Sequence, residues 1–552
     1  MAKRPPFPAG RESQTSPRSA FAMPGSRPTV TPQTGMSPPM AGVADSKLQQ
    51  KRETLSRAIA AARASDHITA IAILEDYLKK HPRDPDALLM IGGLCNTLND
   101  FKQASIYLKR ALNSAAHAPE INYNYGIALT GLRRPKEALR ALDEALRLKP
   151  DMIVAAVAKA RLLSDRDGGA AAQSLIERIL QADPTNSDAL TLRGMSALND
   201  KDEVSATADF EAALESAQSP YQRARLHHEL GVLADKRGDT QGALASFVAM
   251  NEAAAEHPNT KILSTRMVTE RIAAVKDVFE SSIPDTTFTP FDRVERPAPI
   301  FIMGFPRSGT TLMERVLASY PGIATSDEFS WVEKLADECP RHTKDLARYP
   351  ACLASMSMKQ RLQLRRAYWA KVKEDLPELR SKETLVDKFP LNLIDLPFVR
   401  ALFPEAKIII ALRDPRDVCL SNFMQNFRLN KAMIHMLSLE RAATFYRDVM
   451  NSALLFREGL PGPFHTVRYE DVVADFEPTI RSVLEFLELP WNPAVLDYHK
   501  AARVVSISTP SARDVRSPIF TRASGRWRRY EDALQPIQPI LAPFVEQFGY
   551  RP

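Results

Sequence analysis

Long apolar runs are missing from this chain of 552 residues: nowhere do about 18 apolar residues follow one another, the length needed to span a bilayer. After Lys3 and Arg4 the N-terminus continues as polar, proline-rich sequence without the apolar core of a secretory signal. A soluble, cytoplasmic protein is the expectation from both absences. Cysteine is scarce: Cys95, Cys339, Cys352 and Cys419 lie far apart with no C-x-x-C pair, so neither a zinc knuckle nor a disulfide framework is suggested, and buried thiols are expected. His435 and His465 stand singly and no metal-ligand cluster appears, so no metal is expected. A strong charge bias is missing too. Lys plus Arg number 73 against 66 for Asp plus Glu, a net of +7 that by itself selects no partner, and no nucleic acid is expected among the partners.

What is present is ordinary folded sequence, 44% hydrophobic and 25% charged, too long for a single core. Residues 1–45 are the exception. Nine prolines among Ser, Thr and Gly, with no apolar periodicity, predict a disordered tail there. From about Ser46 a period of 34 residues sets in: Gly92, Gly126, Ala160 and Gly194 keep that spacing, and Ala104, Ala138, Ala172 and Ala206 each follow by twelve. Ala58 and Ala70 extend the series backwards, and Gly231 with Ala243 extends it forwards after a three-residue insertion. Paired helices need a small residue where they cross and a large one beside it, here Leu108, Leu142, Ile176, Phe210 and Phe247. Pro82, Pro150 and Pro184 mark turns between units. About six repeats over residues 46–262 result, and the pattern resembles the tetratricopeptide (TPR) family. Such a solenoid offers a concave face for a protein partner or substrate, or serves as a spacer. A capping helix at about Lys261–Val278 and a Pro-containing connection, Ser282–Pro299, are expected to fill the junction at residues 263–296.

The chemistry lies beyond that junction. Ala298–Phe305 reads as a buried parallel strand and runs into Pro306-Arg307-Ser308-Gly309-Thr310-Thr311, with an amphipathic helix, Leu312–Ser319, expected next. Strand, Gly-containing loop and helix together point backbone N–H groups and a positive helix end at a phosphate. Thr310 stands where a nucleoside triphosphatase loop requires Lys, and Arg307 is the cation of the loop, which disfavours a kinase or phosphatase. A second strand, Ala406–Leu412, ends at Arg413-Asp414-Pro415-Arg416-Asp417 and leads to a helix carrying Ser421. Arg offers a fork of donors to phosphate oxygens, and a hydroxyl eight residues on sits near the helix start.

The pair PRSGTTL and IALRDPRDVCLSNF resembles the sulfotransferase superfamily, and the short motif Ser326-Asp327-Glu328 after the first helix resembles its tyrosylprotein branch. The resemblance covers about residues 297–552 and implies an α/β three-layer, P-loop-like domain with a mostly parallel sheet behind the all-α solenoid. It implies sulfuryl transfer from 3′-phosphoadenosine 5′-phosphosulfate (PAPS) to a hydroxyl acceptor, without a metal. Arg307, Ser308, Gly309, Thr310 and Thr311 would hold the 5′-phosphosulfate, and Arg413 and Ser421 the 3′-phosphate. Glu328 would be the catalytic base, with Asp327 as the alternative, and Lys388 in Val386-Asp387-Lys388-Phe389-Pro390 would assist at the sulfate. Tyr469 would lie near the nucleotide or in the core. Ser511 and Arg526 would close on the 5′-phosphate, although Arg526 departs from the Lys of the tyrosylprotein enzymes. The neighbouring Arg522, Arg528 and Arg529 form an acidic-substrate patch or a solvated basic surface. A peptide tyrosine, a saccharide and a phenol all remain open as acceptors. The competing reading is a non-catalytic TPR scaffold whose second domain only binds nucleotide.

Overall fold

The computed structural model describes residues 41–64, 66–167, 170–257, 260, 263–281, 283–326, 328–342, 347–381, 383–501 and 524–551. Ser511, Arg522, Asp327 and the tail at residues 1–40 lie outside them. Two compact units divide the chain, Met1–Gln222 and Arg223–Pro552.

The first unit is a run of helix pairs, from Ala41–Arg63 with His67–Lys80 to Ser187–Asn199 with Glu203–Ser216. Side-chain caps start many of them: Asp66, Asp84, Asp100, Asn186 and Asp202 each accept a first-turn N–H, and Pro82, Pro150 and Pro184 fall in the turns between pairs. The repeat positions do what the period implies. Ala58, Ala70, Ala104, Ala138, Ala160 and Ala206 are wholly enclosed. A Cβ on Gly126 would stand 2.8 Å from Leu142 Cγ, and one on Gly194 would stand 2.6 Å from Phe210 Cε1. Each of these glycines is thus the seat of the large residue 16 positions later, as the expected TPR solenoid requires.

The sixth pair, α1 (Pro220–Arg237) and α2 (Thr240–Ala255), has the same device, with Gly231 seating Phe247. Yet from Arg223 onward it groups with the second unit. Phe247 and Met250 share one core cluster with Val268 and Val275 of α3 (Arg266–Ser281) and with Phe301 and Phe445. The stretch expected to connect two domains is also packed. Thr287 is buried with its hydroxyl 3.2 Å from the Leu353 carbonyl, and Arg361 donates to the carbonyls of Thr286 and Ala401.

The second unit carries a five-stranded parallel sheet in the order β2-β3-β1-β4-β5: β1 (Ile300–Gly304), β2 (Ile323–Thr325), β3 (Thr384–Lys388), β4 (Ile408–Leu412) and β5 (Phe464–Arg468). Every residue of β1 and β4 is buried. Alternate side chains enter opposite cores: Phe301, Met303, Ile408 and Ile410 one, Ile300, Ile302 and Ile409 the other. That division makes three layers and explains why these strands read as continuous apolar runs. Because the strands are parallel, the loops after β1, β3 and β4 open at one edge, and strand order reverses direction at β1, where a nucleotide crevice is expected in such sheets.

Candidate functional site

Register gathers the motifs. Ile302 pairs with Lys388, Gly304 with Ala411 and Leu412 with Arg468, so the loop at 305–309, Lys388, Arg413 and Tyr469 leave the sheet at the same edge. There they border a cavity of about 1490 Å³, lined among others by Arg307, Gly309, Thr310, Thr311, Glu328, Arg413, Ser421, Tyr469 and Arg526. Ser308 lies beneath this surface, 2% exposed. Lys388 is wholly buried but reaches the site through its partner.

The first loop is tightly built. A Cβ on Gly304 would fall 2.6 Å from the Ala411 carbonyl oxygen, so only glycine lets β1 turn this close to β4. Arg307 has φ +70° and Gly309 φ +99°, two left-handed residues on either side of Ser308. For Arg307 this conformation costs energy that the surrounding contacts must offset, a pattern common where backbone is shaped for a ligand. The helix that follows, α4 (Thr310–Ala318), starts at Gly309 with no side-chain cap, which leaves first-turn N–H groups directed at the loop. Ser308 Oγ is buried without a hydrogen-bond partner. A buried orphan hydroxyl beside an uncapped helix start fits an anionic group such as a phosphosulfate.

Every residue of the amphipathic α4 from Thr310 to Leu317 is buried, its polar positions Glu314 and Arg315 included. Its charged residues therefore face protein. Glu314 is 0% exposed, and its Oε2 lies 3.3 Å from Lys388 Nζ. On its other side Lys388 donates to Glu328 Oε1 at 2.7 Å, and its backbone N–H donates to Ser326 Oγ at 3.0 Å. The base candidate and the electrophile candidate are therefore already a pair, with the carboxylate 35% exposed and the ammonium enclosed.

At the next strand, Arg413 Nη1 donates to the Arg307 carbonyl at 3.1 Å, and its guanidinium stands 4.9 Å from the centre of the Tyr469 ring. Arg307 Nε donates to Ser421 Oγ at 3.1 Å, with Ser421 on α5 (Pro415–Phe423), so the loop after β1 touches the helix after β4. Buried Asp417 of the same helix accepts the backbone N–H groups of Gly525 and Trp527 at 2.7 and 2.8 Å. Desolvation raises its carboxyl above the usual range, while Arg413 and those amides act in the opposite direction. Arg526 donates to Asp235 Oδ2 on α1 at 2.9 Å, and Arg529 Nη2 and the Tyr530 hydroxyl reach its Oδ1 at 2.9 and 2.6 Å. Arg526 thus meets the cavity while tied to the sixth repeat.

Glu314, Asp417 and Asp235 were not singled out in the sequence. Their signal is tertiary: a carboxylate becomes informative when the fold encloses it beside a cation or an amide pair. Among the described residues no group of three His, Cys, Asp or Glu side chains is arranged to hold a metal, and no helix is long and apolar enough to cross a membrane.

Residues 299–493 match the model of the sulfotransferase family, and residues 55–118 and 97–153 match the tetratricopeptide repeat. An uncharacterized protein of Aquifex aeolicus is 30% identical over 357 residues, which is 60% of this chain and 43% of that protein. The chain therefore spans less than half the length of that relative. Protein-tyrosine sulfotransferase 1 of Homo sapiens is 29% identical over 274 residues, 46% of this chain and 70% of the human protein. Among solved structures, the type IV pilus biogenesis factor PilW has 22% identity and a TM-score of 0.33, covering 39% of this chain and 97% of its own.

Proposed function

We propose, with the sulfotransferase-family match as premise, that the second unit transfers a sulfuryl group from PAPS to a hydroxyl, in the first place that of a peptide tyrosine, while the TPR repeats recruit substrate or partner. The observation that carries the reading is the Lys388–Glu328 pair, 2.7 Å apart, on a cavity shared with the Arg307 loop and with Arg413 and Ser421. PAPS supplies an activated sulfate whose bridging S–O bond breaks as the acceptor oxygen bonds to sulfur. Arg307 and the N–H groups at the start of α4 hold the anion, and Ser308 and Thr310 add hydroxyl donors. Lys388 offsets the charge that builds on the leaving oxygen, and Glu328 takes the acceptor proton within hydrogen-bond reach. Arg413 and Ser421 hold the 3′-phosphate, Tyr469 lies against Arg413, and Arg526 and Ser511 are assigned by resemblance as contacts of the 5′-phosphate.

The acceptor reading draws on two further facts. The cavity of about 1490 Å³ exceeds the roughly 300–1,000 Å³ usual for one small ligand, which leaves room for a second substrate. Several relatives, among them those of Homo sapiens and Danio rerio, are named protein-tyrosine sulfotransferase 1.

Calorimetric binding of adenosine nucleotides tests the cofactor half of the proposal. Hydrogen bonds to a charged group contribute about 1.5–3 kcal/mol, so 3′-phosphoadenosine 5′-phosphate should bind about 10–150-fold tighter than adenosine 5′-phosphate. Arg413→Ala should erase most of that preference, and Ser421→Ala part of it. Equal affinity of the unsubstituted protein for both nucleotides would count against PAPS as donor.

A further inference from the structure

We infer that Glu314 is the positioning residue for Lys388: it holds the ammonium in place when Glu328 lets go of it to act as base. The inference rests on the sulfuryl-transfer reading and concerns a residue that the reading leaves without a role. As the structure stands, Lys388 Nζ is shared between Glu328 Oε1 at 2.7 Å and Glu314 Oε2 at 3.3 Å. The two carboxylates differ in freedom. Glu328 follows β2 and is 35% exposed, so it can turn towards a substrate in the cavity it lines. Glu314 is 0% exposed in a helix whose neighbours are all buried, and it has nowhere to turn.

Transfer requires the 2.7 Å contact to break, because a carboxylate that accepts from Lys388 has less capacity for the acceptor's proton. Without a second carboxylate, breaking it would leave an enclosed ammonium with no counter-charge at the moment it must point at the sulfate. The other carboxylate beside it, Asp387 on the same strand, is fully buried, accepts from the Tyr368 hydroxyl at 2.7 Å, and is pushed up to about 7 chiefly by burial. Its acceptor capacity is already engaged by the Tyr368 hydroxyl and the Asn392 amide. Glu314 rises from the first turns of the same helix whose N-terminus faces the cavity, so it also fixes Lys388 relative to the loop. No proton is exchanged by Glu314 and no bond of the substrate changes at it; its part is geometric and electrostatic.

The test compares Glu314→Gln, which keeps the shape and removes the charge, with Glu314→Asp, which keeps the charge on a shorter arm. Labelled sulfate transfer should show kcat reduced about 10–100-fold in Glu314→Gln, as loss of positioning commonly does, with KM for PAPS changed less than about threefold and kcat partly restored in Glu314→Asp. A readout without turnover accompanies it. In nucleotide-free protein labelled with [ε-¹³C]lysine, the resonance that vanishes in Lys388→Met should move in Glu314→Gln, while affinity for 3′-phosphoadenosine 5′-phosphate stays unchanged. An unmoved Lys388 resonance, or equal kcat in a protein that transfers sulfate, overturns the inference and leaves the functional reading standing. No transfer by the unsubstituted protein to any acceptor overturns the functional reading instead.

Discussion

Asp387 precedes the site lysine in a strand and is enclosed with it. Burial pushes its carboxyl from the ordinary value of 3.8 up to about 7, against the Tyr368 hydroxyl and Lys388, which act in the opposite direction, while Glu314 adds to the rise. The folded protein therefore binds a proton here more tightly than the unfolded chain does. The resulting stabilisation is complete below about pH 4 and is lost as pH climbs through about 7, since deprotonation then costs more folded than unfolded. In Asp387→Asn this dependence should vanish. Urea unfolding followed by tryptophan fluorescence should show the stability difference between the two proteins drifting between pH 4 and 7 by on the order of a few kcal/mol, against Asp387; a flat difference would mean that Asp387 does not titrate there. All four tryptophans, Trp331, Trp369, Trp491 and Trp527, lie in the second unit, so the signal reports that unit. At this scale the residues legible in the sequence were those in strand-to-loop motifs, because a motif such as PRSGTT brings its own local geometry. Arg307 contacts Ser421 and Arg413, and Lys388 contacts Glu328, with Arg307 and Glu328 both on the cavity wall. Glu314 was illegible because a charge in a short helix reads as solvated until the fold covers its remaining face.

Among the elements, the turn from β1 into α4 is the most constrained. Gly304 packs against the Ala411 carbonyl and Ser308, and backbone cannot rotate away as a side chain can. Gly304→Ala should therefore destabilise the second unit by about 1–3 kcal/mol and weaken nucleotide binding, measured by the same fluorescence and by calorimetry. Unchanged stability would show that the loop has room that the structure denies it. The repeats show why helix pairs were readable: Gly126 and Leu142, or Gly194 and Phe210, carry the crossing geometry in residue size alone, and a period of 34 displays it repeatedly. What that period hides is where packing changes allegiance. The pair Pro220–Arg237 and Thr240–Ala255 keeps the repeat signature, yet Asn251 Nδ2 donates to the Phe423 carbonyl at 2.9 Å, and Asp235 gathers Arg526, Arg529 and Tyr530. These partners lie about 170 to 300 residues away in sequence, beyond the reach of any periodic pattern.

At the scale of the molecule, one helical unit of repeats and one unit with a five-stranded parallel sheet are joined within a single chain. The three-layer organisation followed from apolar runs at β1 and β4, and the strand order from nothing local: it depends on how β2 and β3 return to one side of β1 while β4 and β5 take the other. That order brings loops separated by more than 160 residues to one cavity, where Arg307 and Tyr469 both line the wall. The proposed transfer of a sulfuryl group to a hydroxyl in this cavity, with Glu328 as base, is tested most directly by following labelled sulfate from PAPS to tyrosine peptides, phenols and glycans with the full chain and with Glu328→Gln. Label is expected on a tyrosine peptide, reduced about 10²–10⁴-fold in Glu328→Gln with nucleotide affinity retained. Nucleotide binding with no transfer to any acceptor, or transfer that survives the substitution, would contradict it.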